Sequence, residues 1–569
     1  MPSRQPYQPN PSNPAARALA EARAHHQAGR LPKAERLYRV ALGLRAGDPE
    51  TLFYLGNVLR EQGNPEAALA CYMKALQARP DFPEAYVNMG ACWCDIGDLN
   101  QAVSCFEKAL NQRPDLPEAR VSLGNVLREL GQPMAALDCY AKALEFNPDD
   151  STAYVNVGIC WLIVGDVGQA ILMFEEALKL KPNDVNASLA LSDALMVMGR
   201  HTEARSKLDR AYQLEPDNPE MIGEIGKLLY NEGKIDEALK LYNKSLARAP
   251  KQQKVQWDKS LALLTLGQYR EGWKLYEAGI GRRELRGLNL FPSVKPWNGQ
   301  PALGKHLLIV SEQGLGDSLQ FIRYAELCKE RFARISVFCP HHNPLVRLFK
   351  GLSFVDDAFD TIQAGSHFDE HILMASLPHV FGTVLETVPA AVPYLRVDPE
   401  IETKWATKFV GVAGLKVGLV WAGRAANKSD RERSIGLDRI RSWLDMRGAQ
   451  FYSLQKDEQA EKVVALGLQN RITDFMGEVE DFADTAAIVQ NLDLVITVDT
   501  SVAHLAGGLG KPVWILSRYN ADWRWLQNRP TNPWYPTARI FGQPSMGDWD
   551  SVIAEVGREL ALEIAKKAH

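Results

Sequence analysis

The sequence predicts an α-helical solenoid followed by an α/β region made of two similar halves, and three observations carry that prediction. Glycines 29, 63, 97, 131, 165, 199, 233 and 267 fall 34 residues apart, a period that suits one helix–turn–helix unit. The period stops after residue 281. From His306 onward, continuous apolar runs of strand length alternate with stretches of helix length, as expected for buried parallel strands joined by crossover helices. At 569 residues the chain has room for about three or four structural units.

Within each repeat the residue types say where the helices lie. Prolines 80, 114, 148, 182, 216 and 250 share the period, as do Ala34, Ala68, Ala102, Ala136, Ala170, Ala204 and Ala238. Tyr38, Tyr72, Phe106, Tyr140, Phe174, Leu208 and Tyr242 follow these alanines at i+4. A first helix therefore ends at the periodic Gly, and a second carries Ala and the large side chain on one face until a Pro stops it. Gly56, Gly90, Gly124, Gly158 and Gly226 lie inside first helices, where a missing side chain lets the neighbouring helix approach; Ser192 takes that place once. Leu55-Gly56, Ala68, Tyr72, Ala75 and Pro80 resemble the tetratricopeptide (TPR) repeat, over residues 15–281 and about eight units. The resemblance implies a groove that holds a protein partner, with a rigid spacer as the alternative. Asn57, Asn88, Asn125 and Asn156 stand near first-helix glycines, where an amide could reach a peptide backbone.

Composition narrows the rest. Lys+Arg number 65 against 69 Asp+Glu, a formal net charge of -4, so the basic field that nucleic-acid binding requires is missing. No apolar stretch reaches the ~20 residues of a membrane span. The polar, proline-containing residues 1–14 read as a disordered leader, and the chain reads as cytoplasmic. Cys71, Cys105 and Cys139 share the repeat period, and Cys92 and Cys160 lie two periods apart, so they read as small apolar packing residues. Neither disulfides nor a structural metal is expected.

Residues 282–302 read as a linker, 303–397 and 416–569 as two Rossmann-like halves, and 398–415 as a charged hinge between them. Strands are expected at His306–Val310, Arg334–Cys339, His371–Met374 and Pro393–Val397, with one amphipathic helix from Ser318 to Arg331. In the second half they are expected at Lys416–Trp421, Gln450–Leu454, Leu494–Val498, Val513–Leu516 and Arg539–Phe541. Ligands of open α/β sheets sit at the carboxyl ends of strands, and the turns there are informative. Gly314-Leu315-Gly316-Asp317 follows the first strand; Asp499-Thr500-Ser501-Val502-Ala503-His504 follows the strand Leu494–Val498 and opens a helix whose N–H groups suit a diphosphate. Trp421, Arg424, Lys428, Arg431, Arg433 and Ser434 put cations and a hydroxyl beside another strand end, and Gln455 follows a third.

Those two turns make residues 303–569 similar to glycosyltransferase family 9, the heptosyltransferase-like inverting enzymes of the GT-B fold. The resemblance implies Asp317 as catalytic base. It implies a nucleotide-sugar donor whose diphosphate lies against Asp499, Thr500 and His504; read from the residues beside these strand ends, Ser501, Gly314, Gly316, Trp421, Lys428, Arg433, Ser434 and Gln455 complete the expected donor-binding set. Ser501 stands where the family usually has Gly, and Glu312-Gln313 where it has a basic residue. Together with Trp534-Tyr535-Pro536, the whole looks like bacterial TPR–glycosyltransferase fusions, some of which modify flagellin or other proteins. Asp548-Trp549-Asp550 precedes the terminal helix and reads as its N-cap, so no metal and no cofactor beyond the donor are expected. His371 and Ser376 are weaker candidates for acceptor or sugar contacts. The expected activity is metal-independent, inverting transfer of a sugar to a hydroxyl of a protein acceptor held by the TPR groove. The alternatives are a non-catalytic scaffold that keeps the fold, and a heptosyltransferase-like enzyme acting on lipopolysaccharide or another glycan.

Overall fold

The structure is a computed structural model that describes residues 14–280, 294–340, 343–363, 365–423, 433–526, 529 and 531–568. The expected leader up to residue 13, the linker up to residue 293, and Arg424, Lys428 and Arg431 lie outside the described residues.

Two compact units divide the chain between Leu214 and Glu215. In the first, twelve helices run from Pro14–Gln27 to His201–Leu214 among the described residues, each packed on its successor. Their ends follow the sequence signals. Gly97 closes the helix Pro83–Ile96 at φ 94° in the left-handed region, its N–H reaching Trp93 O at 2.9 Å. Asp98 opens the next helix by accepting the Gln101 N–H at 3.1 Å, a cap worth about 1 kcal/mol. The glycine inside a first helix meets a ring: a Cβ on Gly124 would lie 2.8 Å from Cζ of Tyr140. Cys92, Cys105 and Cys160 are buried free thiols, and burial pushes Cys92 up to about 12 and Cys105 up to about 11.

The second unit begins with four more helices of the same repeat, Pro219–Asn231, Ile235–Arg248, Gln253–Thr265 and Tyr269–Ile280. The period suggests a boundary at 281/282, and the structure moves it. Tyr269, Trp273 and Tyr276 enter one apolar core with Phe321, Trp523 and Trp534. Trp273 and Trp523 rings meet edge-on at 5.2 Å, and Trp534 Nε1 donates to Tyr269 Oη at 2.9 Å. Aromatic side chains of this size dominate core energetics, so the last two repeats fold with the α/β part.

That part holds two sheets whose strands all pair in parallel. β1 (Lys295–Pro296), β2 (Ala302–Val310), β3 (Phe332–Phe338), β4 (Asp357–Phe359) and β5 (Glu370–Leu373) take the order β1-β5-β2-β3-β4. β6 (Leu415–Val420), β7 (Ala449–Ser453), β8 (Ile472–Asp474), β9 (Leu494–Val498), β10 (Val513–Ser517) and β11 (Ala538–Gly542) take the order β11-β10-β9-β6-β7-β8. β9 is buried along its whole length, as its unbroken apolar run requires.

Three expectations are corrected here. Pro393–Val397 is not a strand: Pro393 has no N–H to give a ladder, and Tyr394 and Leu395 instead donate to Gly508 O at 3.0 and 3.1 Å, strapping the helix Ser501–Gly508. The hinge is partly the helix Pro399–Ala406, fixed by buried Trp405, whose Nε1 donates to Asp484 Oδ1 at 2.7 Å. The single helix expected over 318–331 is two, Leu315–Phe321 and Tyr324–Cys328. Between them Arg323 turns inward to Gln320 O at 2.8 Å and Trp534 O at 2.7 Å.

Candidate functional site

The site lies in the second unit, where β2 and β9 end. Each strand gives way to a helix, Leu315–Phe321 after Ser311–Gly314 and Ser501–Gly508 after Asp499 and Thr500. The first turns of these two helices touch. A Cβ on Gly316 would lie 2.9 Å from His504 Cδ2 and 3.7 Å from Ser501 Cα, so the approach depends on that glycine. Gly314 is the N-cap of its helix, and a Cβ there would lie 3.1 Å from Asp317 Oδ2.

Asp317, expected as the base, accepts a hydrogen bond and ion pair from Nη2 of Arg524. Arg524 is anchored elsewhere too, with Nε on Gln320 Oε1 at 2.9 Å and Nη1 on Asp522 Oδ1 at 2.7 Å. The side chains of Arg524 and Asp317 keep 13% and 21% of their exposure, so the pair is accessible at its edge. Burial and the Asp522 charge raise the pKa of Asp499. Burial would raise Asp522 as well, but Arg524 outweighs it and the pKa falls. Arg433 Nη1 reaches the backbone O of Asp499 at 2.9 Å, tying a predicted cation to the predicted turn.

His504 sits deep in this turn. Its Nδ1 lies 2.9 Å from Tyr535 Oη, and its ring stacks on Trp525 at 5.0 Å. Burial, then the Arg524 charge, lowers its pKa to about 3, so it works as a neutral hydrogen-bonding ring and supplies no charge to a phosphate. Thr500 is the N-cap of Ser501–Gly508 but makes no side-chain cap bond; its hydroxyl lies 3.0 Å from Thr497 Oγ1. The first-turn N–H groups of that helix are thus left without the usual hydroxyl partner, an arrangement open to an anion.

The remaining predicted residues divide. Ser434 Oγ accepts the Gly423 N–H at 3.0 Å, and buried Gln455 accepts those of Trp421 and Ala422 at 3.2 and 3.0 Å. These two shape the loop after β6. Trp421 turns into the apolar core beneath β6 and β9, so its indole does not face the strand ends. His371 lies within β5 opposite Leu308 of β2, back from the strand ends. Ser376 is closer: its hydroxyl donates to Glu277 Oε2 at 3.0 Å, beside the Met374–Ala375 turn.

Several residues of the site carry no sequence motif. Glu312 accepts the N–H groups of Met374 and Ala375 at 2.9 and 3.2 Å, and burial pushes its pKa up to about 7. Tyr276 donates to Gln313 Oε1 at 3.1 Å, and burial raises the pKa of Glu277. Asp522 and Arg524 had one available signal, alternating charge and Trp in Asp522-Trp523-Arg524-Trp525 after the buried β10. Asp548 caps the terminal helix, accepting the Ser551 N–H at 3.0 Å. Among the described residues no group of three or more His, Cys, Asp or Glu is placed to hold a metal, and no helix is long and apolar enough to cross a membrane.

The first unit offers a separate recess of about 710 Å³ lined by Asn57, Arg60, Tyr72, Asn88 and Asp95 among others. Asn57 Oδ1 accepts from Tyr72 Oη at 2.7 Å and from Asn88 Nδ2 at 2.8 Å; Tyr140 Oη holds Asn125 Oδ1 at 2.7 Å. Tyrosines thereby fix two of the expected amides, Asn57 and Asn125.

These helices define the class of the N-terminal half: it is a tetratricopeptide-repeat array. A TPR repeat family model matches residues 56–92, and tetratricopeptide repeat models match residues 15–39, 117–150, 164–219 and 198–264. Among particular proteins, the chain is similar to protein FlbA of Caulobacter vibrioides, 27% identical over 304 residues, 47% of this chain and 48% of that one. The chain thus spans about half the length of the curated relative it matches. Similar solved structures include a tetratricopeptide repeat protein from Parabacteroides merdae, 18% identical with TM-score 0.38, covering 44% of this chain and 98% of that one. YrrB, described as a TPR protein with an unusual peptide-binding site, is 27% identical with TM-score 0.28, covering 32% of this chain and 93% of that one.

Proposed function

We propose that the chain is a GT-B-type glycosyltransferase that moves a sugar, with inversion and without a metal, from a nucleotide sugar to a hydroxyl of a protein recruited by the tetratricopeptide array. The observation that supports this reading is the contact of the two helix starts, in which Gly316, the neighbour of Asp317, lies against Ser501 and His504. In the reaction Asp317 takes the proton of the acceptor hydroxyl. The oxygen then bonds to the anomeric carbon on the face opposite the diphosphate, whose bond to that carbon breaks. The leaving nucleoside diphosphate is stabilised by the first-turn N–H groups of Ser501–Gly508 and by neighbouring cations. Flagellin is the acceptor suggested by the likeness to TPR–glycosyltransferase fusions.

Co-expression with a candidate acceptor tests this. The intact mass of the acceptor should rise by one or more sugar units with the wild-type protein. With Asp317→Asn, transfer should fall by roughly 10² to 10⁴-fold, the span for losing a positioned base. An acceptor modified equally by both proteins removes Asp317 from the chemistry. One observation favours a non-catalytic scaffold instead: Arg524 occupies the carboxylate that has to be free.

A further inference from the structure

We infer that Arg524 is exchanged between Asp317 and the diphosphate of the donor, so that the base is released only when a donor is seated. This rests on the donor-binding reading above and adds an ordering step to it.

The guanidinium divides its duties. Nε and Nη1 are committed to Gln320 and Asp522, and the plane lies over the Trp523 ring at 4.3 Å. Only Nη2 addresses Asp317. Replacement of Asp317 at Nη2 by another anion therefore breaks one ion pair while the anchors hold, and the planar fork of an arginine suits phosphate oxygens as well as it suits a carboxylate. The competing anion has a place to arrive. The Asp317 helix touches the first turn of Ser501–Gly508 through Gly316, and that turn lacks its hydroxyl cap.

The charges favour exchange over simple addition. With Asp317 and Asp522 both on Arg524, the cation is already matched by two carboxylates, so a diphosphate meets repulsion until one of them lets go. Asp522 follows β10 in the second sheet and is held by the Arg524 backbone N–H at 3.1 Å as well as by the side chain. Asp317 comes from the other sheet and is the partner free to leave. Once released, it is an unpaired carboxylate beside the reaction centre, which is what a general base has to be.

The test measures binding, not turnover. Inorganic pyrophosphate and the uridine, guanosine, adenosine and cytidine diphosphates are titrated into the full chain by calorimetry in EDTA. If Asp317 competes for Arg524, Asp317→Asn should bind the preferred probe about tenfold more tightly than wild type, and the gain should vanish in Asp317→Asn/Arg524→Gln. Phenylglyoxal labelling read by mass spectrometry asks the same question without altering Arg524. Arg524 should react faster in ligand-free Asp317→Asn than in wild type, and the probe should protect it. Equal or weaker binding by Asp317→Asn, or an Arg524 that the probe leaves unprotected, overturns the exchange while donor binding stands. Failure of every probe to bind either protein overturns the donor reading and the exchange with it. A nucleoside diphosphate that outcompetes pyrophosphate identifies the donor as the source of the anion; the reverse order points to free pyrophosphate and overturns the donor-gated form.

Discussion

His504 and Glu312 titrate in opposite senses. An unfolded histidine takes its proton near pH ~6.5, whereas buried His504 resists it down to about 3. Between those values the unfolded chain binds more protons, so this residue makes stability fall as pH falls below about 6.5. Burial holds Glu312 protonated up to about 7, while an unfolded glutamate ionises near ~4.3. Glu312 therefore makes stability fall as pH rises from about 4.3 to 7. Across pH ~4.5 to 6.5 the two slopes oppose. Glu312→Gln should uncover the histidine slope, steepening the loss of stability on acidification by about 1.4 kcal/mol per pH unit; His504→Gln should flatten or reverse it. Urea unfolding at a series of pH values checks both, and parallel profiles for wild type and the two variants count against these protonation states. The Asp499–His504 turn is legible in sequence because strand end, helix start and hydroxyls are contiguous. Arg524 is not, because its partners Asp317 and Gln320 are more than 200 positions away.

At the scale of the element, the repeat is written in positions that touch. Gly124 and Tyr140 are 16 residues apart, yet the ring lies where a Cβ would be, so their spacing recurs wherever the contact does. Gly124→Val should destabilise the first unit by about 1 to 3 kcal/mol, the usual cost of overpacking, while Gly131→Asn, at φ 76° in a turn with nothing within 4 Å of an added Cβ, should cost less. Chemical denaturation of the two variants distinguishes a packing glycine from a turn glycine; equal losses would show that the ring moves aside. Strands β9 and β10, with the buried ends of β2 and β6, are legible for a similar reason, since burial on both faces demands continuous apolar runs. β1, β4 and β8, of two or three residues each, have no such run and are defined by their pairing alone.

For the molecule as a whole, the periodic sequence and the compact units do not share an end. Residues 215–281 obey the 34-residue period, but Tyr269, Trp273 and Tyr276 belong to the core of the α/β part. A helical period reports local packing; which neighbour covers the last helix is decided by residues far downstream. A fragment beginning at Glu215 should therefore unfold in one cooperative transition. One beginning at residue 294 should leave Phe321, Trp523 and Trp534 uncovered, bind a hydrophobic dye and aggregate. Gel filtration with dye fluorescence compares them, and a monomeric, dye-silent shorter fragment would restore the boundary at 281/282.

The meeting of Trp273 with Trp523 also sets a timetable for synthesis. The two residues are 250 positions apart, and at roughly 5 to 20 residues per second the ribosome needs about 12 to 50 s to pass from one to the other. The first unit is made of contacts between neighbouring helices and can form as it emerges. The helix Tyr269–Ile280 meets Trp257 early but gains Trp523 and Trp534 only after β10 and the segment after it have been made, and the parallel strands in between pair only over long separations. For that interval Trp273 lacks the Trp523 ring, and Tyr269 the Trp534 indole, that meet them in the finished protein.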